Sequence, residues 1–165
     1  MYFSVNMIEL DDIDSRIIAK LQADGRVPVV ELAEHVHLSP TACHKRLKRL
    51  EDAGIITGYS AVLSTRNLGY QIEAFIFVTI ERQVKSASDA FKSEVEKLNG
   101  VRACYLLSGE TDFLVHIVAA DLDAYNKIVL NQLMTLPGAR SVRTSFVLDK
   151  IHSVPPLLPP GDVAN

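Results

Sequence analysis

The stretch LSPTACHKRLKR, residues 38–49, decides the fold of the N-terminal part of the chain. Ser39 is a favourable helix N-cap, and Pro40 stands at the first helical position, where its missing N–H costs nothing. A second short amphipathic helix is predicted just upstream, over residues 30–37, with a very tight turn between the two. Two short helices joined in this way, the second one basic, are typical of a helix-turn-helix that enters a DNA major groove.

The side of this second helix that faces away from the apolar core is polar and basic. We predict contacts to phosphate at the helix start and contacts to base edges farther along: Ser39 and Thr41 for phosphate, and His44, Lys45 and Lys48 for bases. Arg46 and Arg49 lie on the flanks, where they would hold the DNA backbone or pair with acids. The alternative is a merely solvated basic face, but the capped start and the tight turn favour DNA contact.

Three apolar stripes predict three helices in residues 1–62. The first helix runs from a cap at Asp11 or Asp12 to about Asp24, and the third ends at Gly54, a natural left-handed C-cap. A shared core would bury one stripe from each helix: Ile13, Ile17 and Leu21; Leu32, Ala33 and Val36; Cys43, Leu47 and Leu50. After these helices, residues 55–63 are predicted to form a short two-stranded wing or linker strand.

Beyond residue 71 the pattern changes to alternating strands and helices. Strands are predicted over residues 72–81, 101–108, 112–119 and 142–149, and helices over residues 88–98 and 121–136. A hairpin turn is predicted at residues 109–111. The order βαββαβ is the split-βαβ, ferredoxin-like arrangement, in which one sheet face carries both helices. Because the strands are apolar on the other face too, we expect the chain to form oligomers.

The composition indicates that any DNA affinity must come from local groups of basic residues. The chain has 165 residues and a formal net charge of −3, so the basic residues must act through their placement. Its two cysteines, Cys43 and Cys104, form no CxxC pair, which favours a reduced, cytoplasmic protein. No apolar run approaches the ~20 residues of a membrane span, and the N-terminus lacks the pattern of a signal peptide.

Four segments, in order, resemble the Lrp/AsnC family, the feast/famine transcription regulators. They are LDDIDSRIIAKLQADGR (10–26), LSPTACHKRLKRLEDAGII (38–56), SGETDFLV (108–115) and LPGARSVRTSFVL (136–148). The resemblance implies an α+β protein, with an N-terminal three-helix winged helix-turn-helix domain. It also implies a C-terminal βαββαβ ferredoxin-like domain of the RAM or dimeric α-β barrel type. Family members form dimers that often assemble into octamers. The chain departs from the family at His37, where family members usually have glycine. It also has Phe113 and Phe146 near positions where family members frequently have tyrosine.

The turn at residues 108–112 is the candidate effector site. A free amino acid needs donors for its carboxylate, an acceptor for its ammonium and an apolar pocket. Ser108, Gly109 and Thr111 offer backbone N–H groups, and Asp112 offers a carboxylate. The alternative is that Gly109 and Asp112 only form the turn. The resemblance implies that the turn is joined, at an interface between dimers, by four more residues: Leu106, Leu122, Ser145 and Phe146.

The predicted domains are a DNA-binding domain (1–62), a linker (63–71), a sensing and oligomerisation domain (72–153) and a proline-rich tail (154–165). No catalytic residues and no cofactor are predicted. No metal site is predicted either, since the spacing of His35, His37, Cys43 and His44 fits no standard zinc finger. Two rival functions stay open. The architecture also resembles siroheme decarboxylases, although the second predicted strand lacks a histidine. The second rival function is that of an amino-acid-binding module without DNA binding.

Overall fold

The computed structural model describes residues 8–81, 85–151 and 157. The chain divides into two compact units, residues 1–62 with 152–165, and residues 63–151. Apart from Leu157, the predicted tail lies outside the described residues. No helix in the described ranges has the length and apolar character needed to span a membrane.

The N-terminal unit contains the three predicted helices, α1 (Asp12–Ala23), α2 (Val29–His35) and α3 (Pro40–Asp52). The Ser39 hydroxyl caps α3 by accepting a hydrogen bond from the Ala42 N–H at 3.2 Å, which confirms the predicted N-cap. Gly54 follows with φ 71°, as a left-handed residue after a helix end requires. One apolar cluster joins the helices: Ile17, Val27, Leu32, Ala33, Val36, Cys43 and Leu50.

The predicted wing or linker strand at residues 55–63 is wrong, because no strand forms there. The N–H groups of Ile55 and Ile56 both donate to the Leu50 carbonyl, at 3.0 and 3.1 Å, and so close the end of α3 instead. Farther along, Val62 is 100% exposed and Leu63 is 60% exposed. A strand needs a neighbour for its backbone groups and side chains, and this segment finds none in the described part of the chain.

The turn between α2 and α3 places His37 at φ 57°, in the left-handed region. A side chain there costs roughly 1–2 kcal/mol, and glycine avoids that cost but loses more chain entropy on folding. We therefore expect His37→Gly to raise the free energy of unfolding by up to about 1 kcal/mol in urea denaturation. His35→Gly, in the last turn of α2, is the control and should lower it by about 1 kcal/mol. Destabilisation by His37→Gly would contradict the backbone argument.

The C-terminal unit has the predicted βαββαβ order. Its elements are β1 (Ile72–Ile80), α4 (Lys85–Val95), β2 (Val101–Leu106), β3 (Phe113–Ala119), α5 (Leu122–Asn131) and β4 (Ala139–Phe146), with a 3₁₀ turn at Leu133–Thr135. The four strands form one antiparallel sheet in the order β2-β3-β1-β4, so β2 and β4 are its edges. Phe91 and Val95 of α4 and Val129 of α5 pack in one core with the buried residues of β1 and β3.

Three elements of this unit, α4, α5 and β4, have predicted boundaries that are wrong by three residues or more, including the end of β4 at Phe146. Helix α4 begins and ends three residues early, and its last turn closes through the Leu98 N–H to the Val95 carbonyl. Helix α5 ends at Asn131, where the Gln132 backbone leaves helical geometry with φ −121° and ψ −64°. The Thr135 hydroxyl lies within hydrogen-bonding distance of the Asn131 and Gln132 carbonyls, at 3.2 and 2.7 Å. Strand β4 begins at Ala139, where pairing with the end of β1 becomes available.

The sheet face opposite the helices is half-buried and mixes apolar and charged groups. His116 stacks on Phe75 at 4.7 Å between ring centroids, and its Nε2 lies 2.8 Å from Glu73 Oε1. Across the sheet, the Arg143 guanidinium lies over the Phe77 ring at 4.9 Å. The predicted apolar second face therefore exists on β1, but it also carries a histidine–glutamate hydrogen bond and a cation–π contact.

Candidate nucleic-acid interface and effector region

Helix α3 presents its predicted DNA-facing side to solvent. Thr41, His44, Lys45 and Lys48 are all exposed, whereas Cys43 and Leu50, on the opposite side, have no exposed surface. Within the described ranges, neither Lys45 nor Lys48 makes an ion pair. Their ammonium groups are therefore available to an anionic partner such as a phosphate backbone.

The two arginines of α3 differ from the lysines because they pair with acids of α1. Arg46 Nη1 lies 2.7 Å from Asp11 Oδ2 and 3.0 Å from Asp14 Oδ1. Arg49 Nη2 contacts Asp14 Oδ2. These contacts agree with the acid-pairing alternative that the sequence left open for both arginines. They also link the start of α1 to α3 and so fix the position of the basic helix relative to α1.

The acids that hold these arginines were missed by sequence reasoning, which used Asp11 only as a cap. Asp11 and Asp14 form a capping box, in which each side chain accepts a hydrogen bond from the other's backbone N–H. Two acids at a helix start and two arginines three residues apart on another helix are complementary. That charge pattern was the feature of the sequence that could have predicted the pairing between α1 and α3.

The Asp11 carboxylate makes the N-terminal unit sensitive to acid. The hydrogen bond from the Asp14 N–H, together with the Arg46 guanidinium, lowers the pKa of Asp11 from 3.8 to about 2. A group whose pKa is lower in the folded state stabilises that state above its unfolded pKa, and the contribution is lost as pH falls. We expect the melting temperature to fall as pH decreases from about 4 to 2.

Asp11→Asn is the matched variant for this test, because asparagine also caps a helix but does not titrate in this range. Its melting temperature should depend less on pH between 4 and 2 than that of the parent chain, in thermal unfolding followed by circular dichroism. Equal pH dependence in the two proteins would remove Asp11 as the cause.

Tyr59 anchors the segment after α3 to the end of that helix. Its hydroxyl donates to Glu51 Oε1 at 2.9 Å, and partial burial together with this bond raises the pKa of Tyr59 to about 12. The ring lines a shallow cavity of about 240 Å³ with Leu21, Leu32 and Leu47. Tyr59 itself remains 51% exposed beside this cavity.

The candidate effector turn closes between β2 and β3. The Leu107 N–H donates to the Asp112 carbonyl at 2.8 Å, and Ser108 and Gly109 are exposed. The Asp112 N–H donates to the Val78 carbonyl at 3.0 Å, and Asp112 Oδ2 accepts from the Ile80 N–H at 2.8 Å. Asp112 thus ties the turn to the end of β1, and its Oδ1 is the carboxylate oxygen left for a ligand.

The eight predicted effector residues form two groups within one chain. Leu106, Ser108, Gly109, Thr111 and Asp112 lie at the β2–β3 turn, whereas Leu122, Ser145 and Phe146 lie at the opposite end of the sheet. From the register, Leu106 and Phe146 are separated by about 13 Å along the strands and about 14 Å across them. A free amino acid is too short to touch both groups in a single chain.

The residues that follow Phe146 in the chain line a cleft that sequence reasoning missed. The Phe146 ring packs on Tyr125 at 5.1 Å, and the cleft of about 690 Å³ begins at the next residue, Val147. Arg66 and Lys150 supply positive charges to its walls, and Glu73 and Asp149 supply negative ones. Residues 63–71 were interpreted only as a linker, so their part in this cleft had no signal in the local pattern.

Comparison with protein families covers both units. An AsnC-type helix-turn-helix domain model matches residues 10–51, and an Lrp/AsnC ligand binding domain model matches residues 73–157. The leucine-responsive regulatory protein of Escherichia coli (strain K12) is 38% identical over 143 residues, which are 87% of each chain. The chain belongs to the Lrp/AsnC family of transcription regulators.

Solved structures of the Lrp/AsnC family share the fold. A transcriptional regulator of Neisseria meningitidis, solved as a complex with L-methionine, has a TM-score of 0.86 at 41% identity, covering 90% of this chain and 96% of that one. Escherichia coli AsnC has a TM-score of 0.80 at 25% identity, covering 89% and 97%. The predicted family, the α+β fold class and the function as a DNA-binding regulator are thereby confirmed. The roles of individual residues stay predictions.

Proposed function

We propose that this Lrp/AsnC regulator binds duplex DNA through the exposed side of α3 and that an amino-acid effector changes its DNA affinity. The ammonium groups of Lys45 and Lys48 carry the DNA part of the proposal, because they are exposed and have no ion-pair partner in the part of the chain that the structure describes. The other side of their helix is fixed in the core. A recognition helix in the major groove uses such a side for base and phosphate contacts.

The proposed division of labour along α3 follows from hydrogen-bonding capacity. The Ser39 oxygen accepts the Ala42 N–H, so its hydroxyl hydrogen remains to donate to a phosphate oxygen. Thr41 is exposed beside it at the helix start, where backbone N–H groups also favour anions. His44, Lys45 and Lys48 then reach base edges, and Arg46 serves the fold through its two carboxylate partners.

The proposed effector is a free amino acid bound where two copies of the chain meet. The L-methionine in the Neisseria regulator supports this ligand class. In this chain, the turn at residues 108–112 supplies exposed backbone donors and the Asp112 carboxylate, while Leu122 and Phe146 supply apolar surface that is 57% and 47% exposed. Since these groups lie at opposite ends of one sheet, a second copy must bring them together, which makes a dimer, and further an octamer, part of the proposal.

The remaining predictions complete the proposed layout. Residues 1–62 bind DNA, residues 63–71 connect, residues 72–153 sense and assemble, and residues 154–165 form a tail. The regulator works in the cytoplasm and catalyses no reaction. Within the described chain, no group of three or more His, Cys, Asp or Glu residues is placed to hold a metal ion.

Selection of bound duplexes from random oligonucleotides, with and without a panel of amino acids, tests this function. We expect inverted half-sites about one DNA turn apart, and at least about a fivefold change in affinity with one amino acid such as L-leucine or L-methionine. The absence of any enriched duplex at modest ionic strength would contradict the DNA part. If no amino acid shifts the melting temperature, the effector part fails while the DNA part stands.

A further inference from the structure

Asp14 stands out in the described chain as the charged side chain with no exposed surface. Its carboxylate accepts from the Asp11 N–H at 3.2 Å, from Arg46 Nη1 at 3.0 Å and from Arg49 Nη2. A buried carboxylate is strongly unfavourable unless it is paired and hydrogen-bonded in this way. Because the Asp14 carboxylate is buried away from water, it depends on both arginines as partners and therefore holds both of them in place.

The two arginines are held differently. Arg46 bridges Asp11 and Asp14 through one nitrogen, and 29% of its side chain is exposed. Among the described residues Arg49 pairs with Asp14 alone, and 46% of its side chain is exposed. A guanidinium has five N–H donors in a fixed plane. Arg49 thus keeps donors on its exposed edge while Asp14 fixes the opposite edge.

The helix geometry places Arg49 at the border of the proposed DNA-facing side. With about 100° of rotation per residue, Arg49 lies about 40° from Lys45, whereas Arg46 lies about 100° from Lys45 on the same flank. Viewed down the helix axis, these four side chains therefore follow one another in the angular order Lys48, Lys45, Arg49 and Arg46, with Arg46 nearest to α1. Of the two arginines, Arg49 is the one within reach of a duplex that contacts both lysines.

We propose that Asp14 is a positioning residue for DNA binding, which acts by aiming the free edge of Arg49 at a backbone phosphate. This inference rests on the proposed function, since it needs α3 to lie against DNA. A guanidinium that is already fixed loses less conformational freedom on binding and can donate two parallel hydrogen bonds to one phosphate. Arg46 has the other role of joining α1 to α3.

A double-mutant cycle on the full chain tests this inference, with DNA affinity measured on a selected duplex at several salt concentrations. Arg49→Ala removes one phosphate contact per bound α3, so for each bound α3 it should lower affinity about eightfold at 0.1 M salt and reduce the salt slope by about 1. Asp14→Asn should have a similar effect in the parent chain and less than a twofold effect in the Arg49→Ala background. An equal loss in both backgrounds would mean that Asp14 acts through folding alone and would overturn the inference.

Two further variants keep the test decisive if Asp14→Asn does not fold. Arg49→Lys retains the charge, but one ammonium held by Asp14 offers no fixed outer edge, so its affinity should fall nearly as far as that of Arg49→Ala. Wild-type affinity in Arg49→Lys would contradict the inference. Asp11→Asn is the matched control, because the Asp11 carboxylate caps α1 and pairs with Arg46 but, within the described chain, not with Arg49. It should change affinity less than twofold. If the parent chain binds no duplex at all, the proposed function fails instead.

Discussion

Gly100→Ala is expected to lower the free energy of unfolding of the C-terminal unit by about 2–5 kcal/mol. Gly100 has φ 90°, where a side chain costs roughly 1–2 kcal/mol. A Cβ there would also lie 2.7 Å from the Val118 carbonyl oxygen and 2.9 Å from Ile128 Cδ1. The Val118 N–H donates to the Gly100 carbonyl at 2.9 Å, so the two backbones cannot separate freely. Crowding of this kind typically adds 1–3 kcal/mol.

Gly69→Ala is the matched control for this substitution. Gly69 has φ 91°, but a Cβ there would meet nothing within 4 Å. The two glycines thus share a backbone conformation and differ in the space around them, so Gly69→Ala should cost only the roughly 1–2 kcal/mol of the backbone term. Urea denaturation followed by circular dichroism measures both. Equal losses would show that the close approach of β2 and β3 at Gly100 is unimportant.

Replacing both Lys45 and Lys48 by alanine is expected to lower DNA affinity at least about 60-fold at 0.1 M salt. An ammonium that reaches base edges also lies between the phosphates of the groove and neutralises about one phosphate charge, which releases about 0.9 of a counterion. The loss of one such ammonium therefore reduces affinity about eightfold at this concentration. The slope of log affinity against log salt should fall by about 2 for each bound α3, and Lys48→Ala alone should give about half that change. Gel-shift titrations at four or five salt concentrations measure both quantities.

The control for this double variant removes the same charge elsewhere. Lys92 and Lys97 lie in the C-terminal unit and pair with Asp89 and Glu94 at 3.3 and 2.7 Å. Replacing both by alanine should change DNA affinity less than twofold. Equal losses in the two double variants would mean that net charge, and not the placement of basic residues on α3, sets the affinity.

Local sequence chemistry predicted the features that depend on neighbours in the chain. The Ser39 and Asp11 caps, the left-handed Gly54, and the order of strands and helices all follow from residue types at short spacing. Each of these features involves groups only a few residues apart. Their energetics are therefore visible in the pattern of a single sequence.

The features that were missed depend on groups that are distant in the chain. Asp14 and Arg46 are 32 residues apart, so their contact follows from how α1 and α3 pack and not from either segment alone. The start of β4 is set by its register with Ile80, which local hydrophobicity does not encode. The separation of the effector residues into two groups likewise follows from the strand order, in which β2 and β4 are opposite edges.

With the effector site that we propose between two copies, that separation would make the response of the regulator depend on its own abundance. A ligand that must touch both Leu106 and Phe146 binds only where two copies meet, so its apparent affinity weakens as the protein is diluted. Titrations at nanomolar and micromolar protein should then give different midpoints for the same amino acid. In a cell, a rise in the amount of the regulator would lower the nutrient level at which its genes respond.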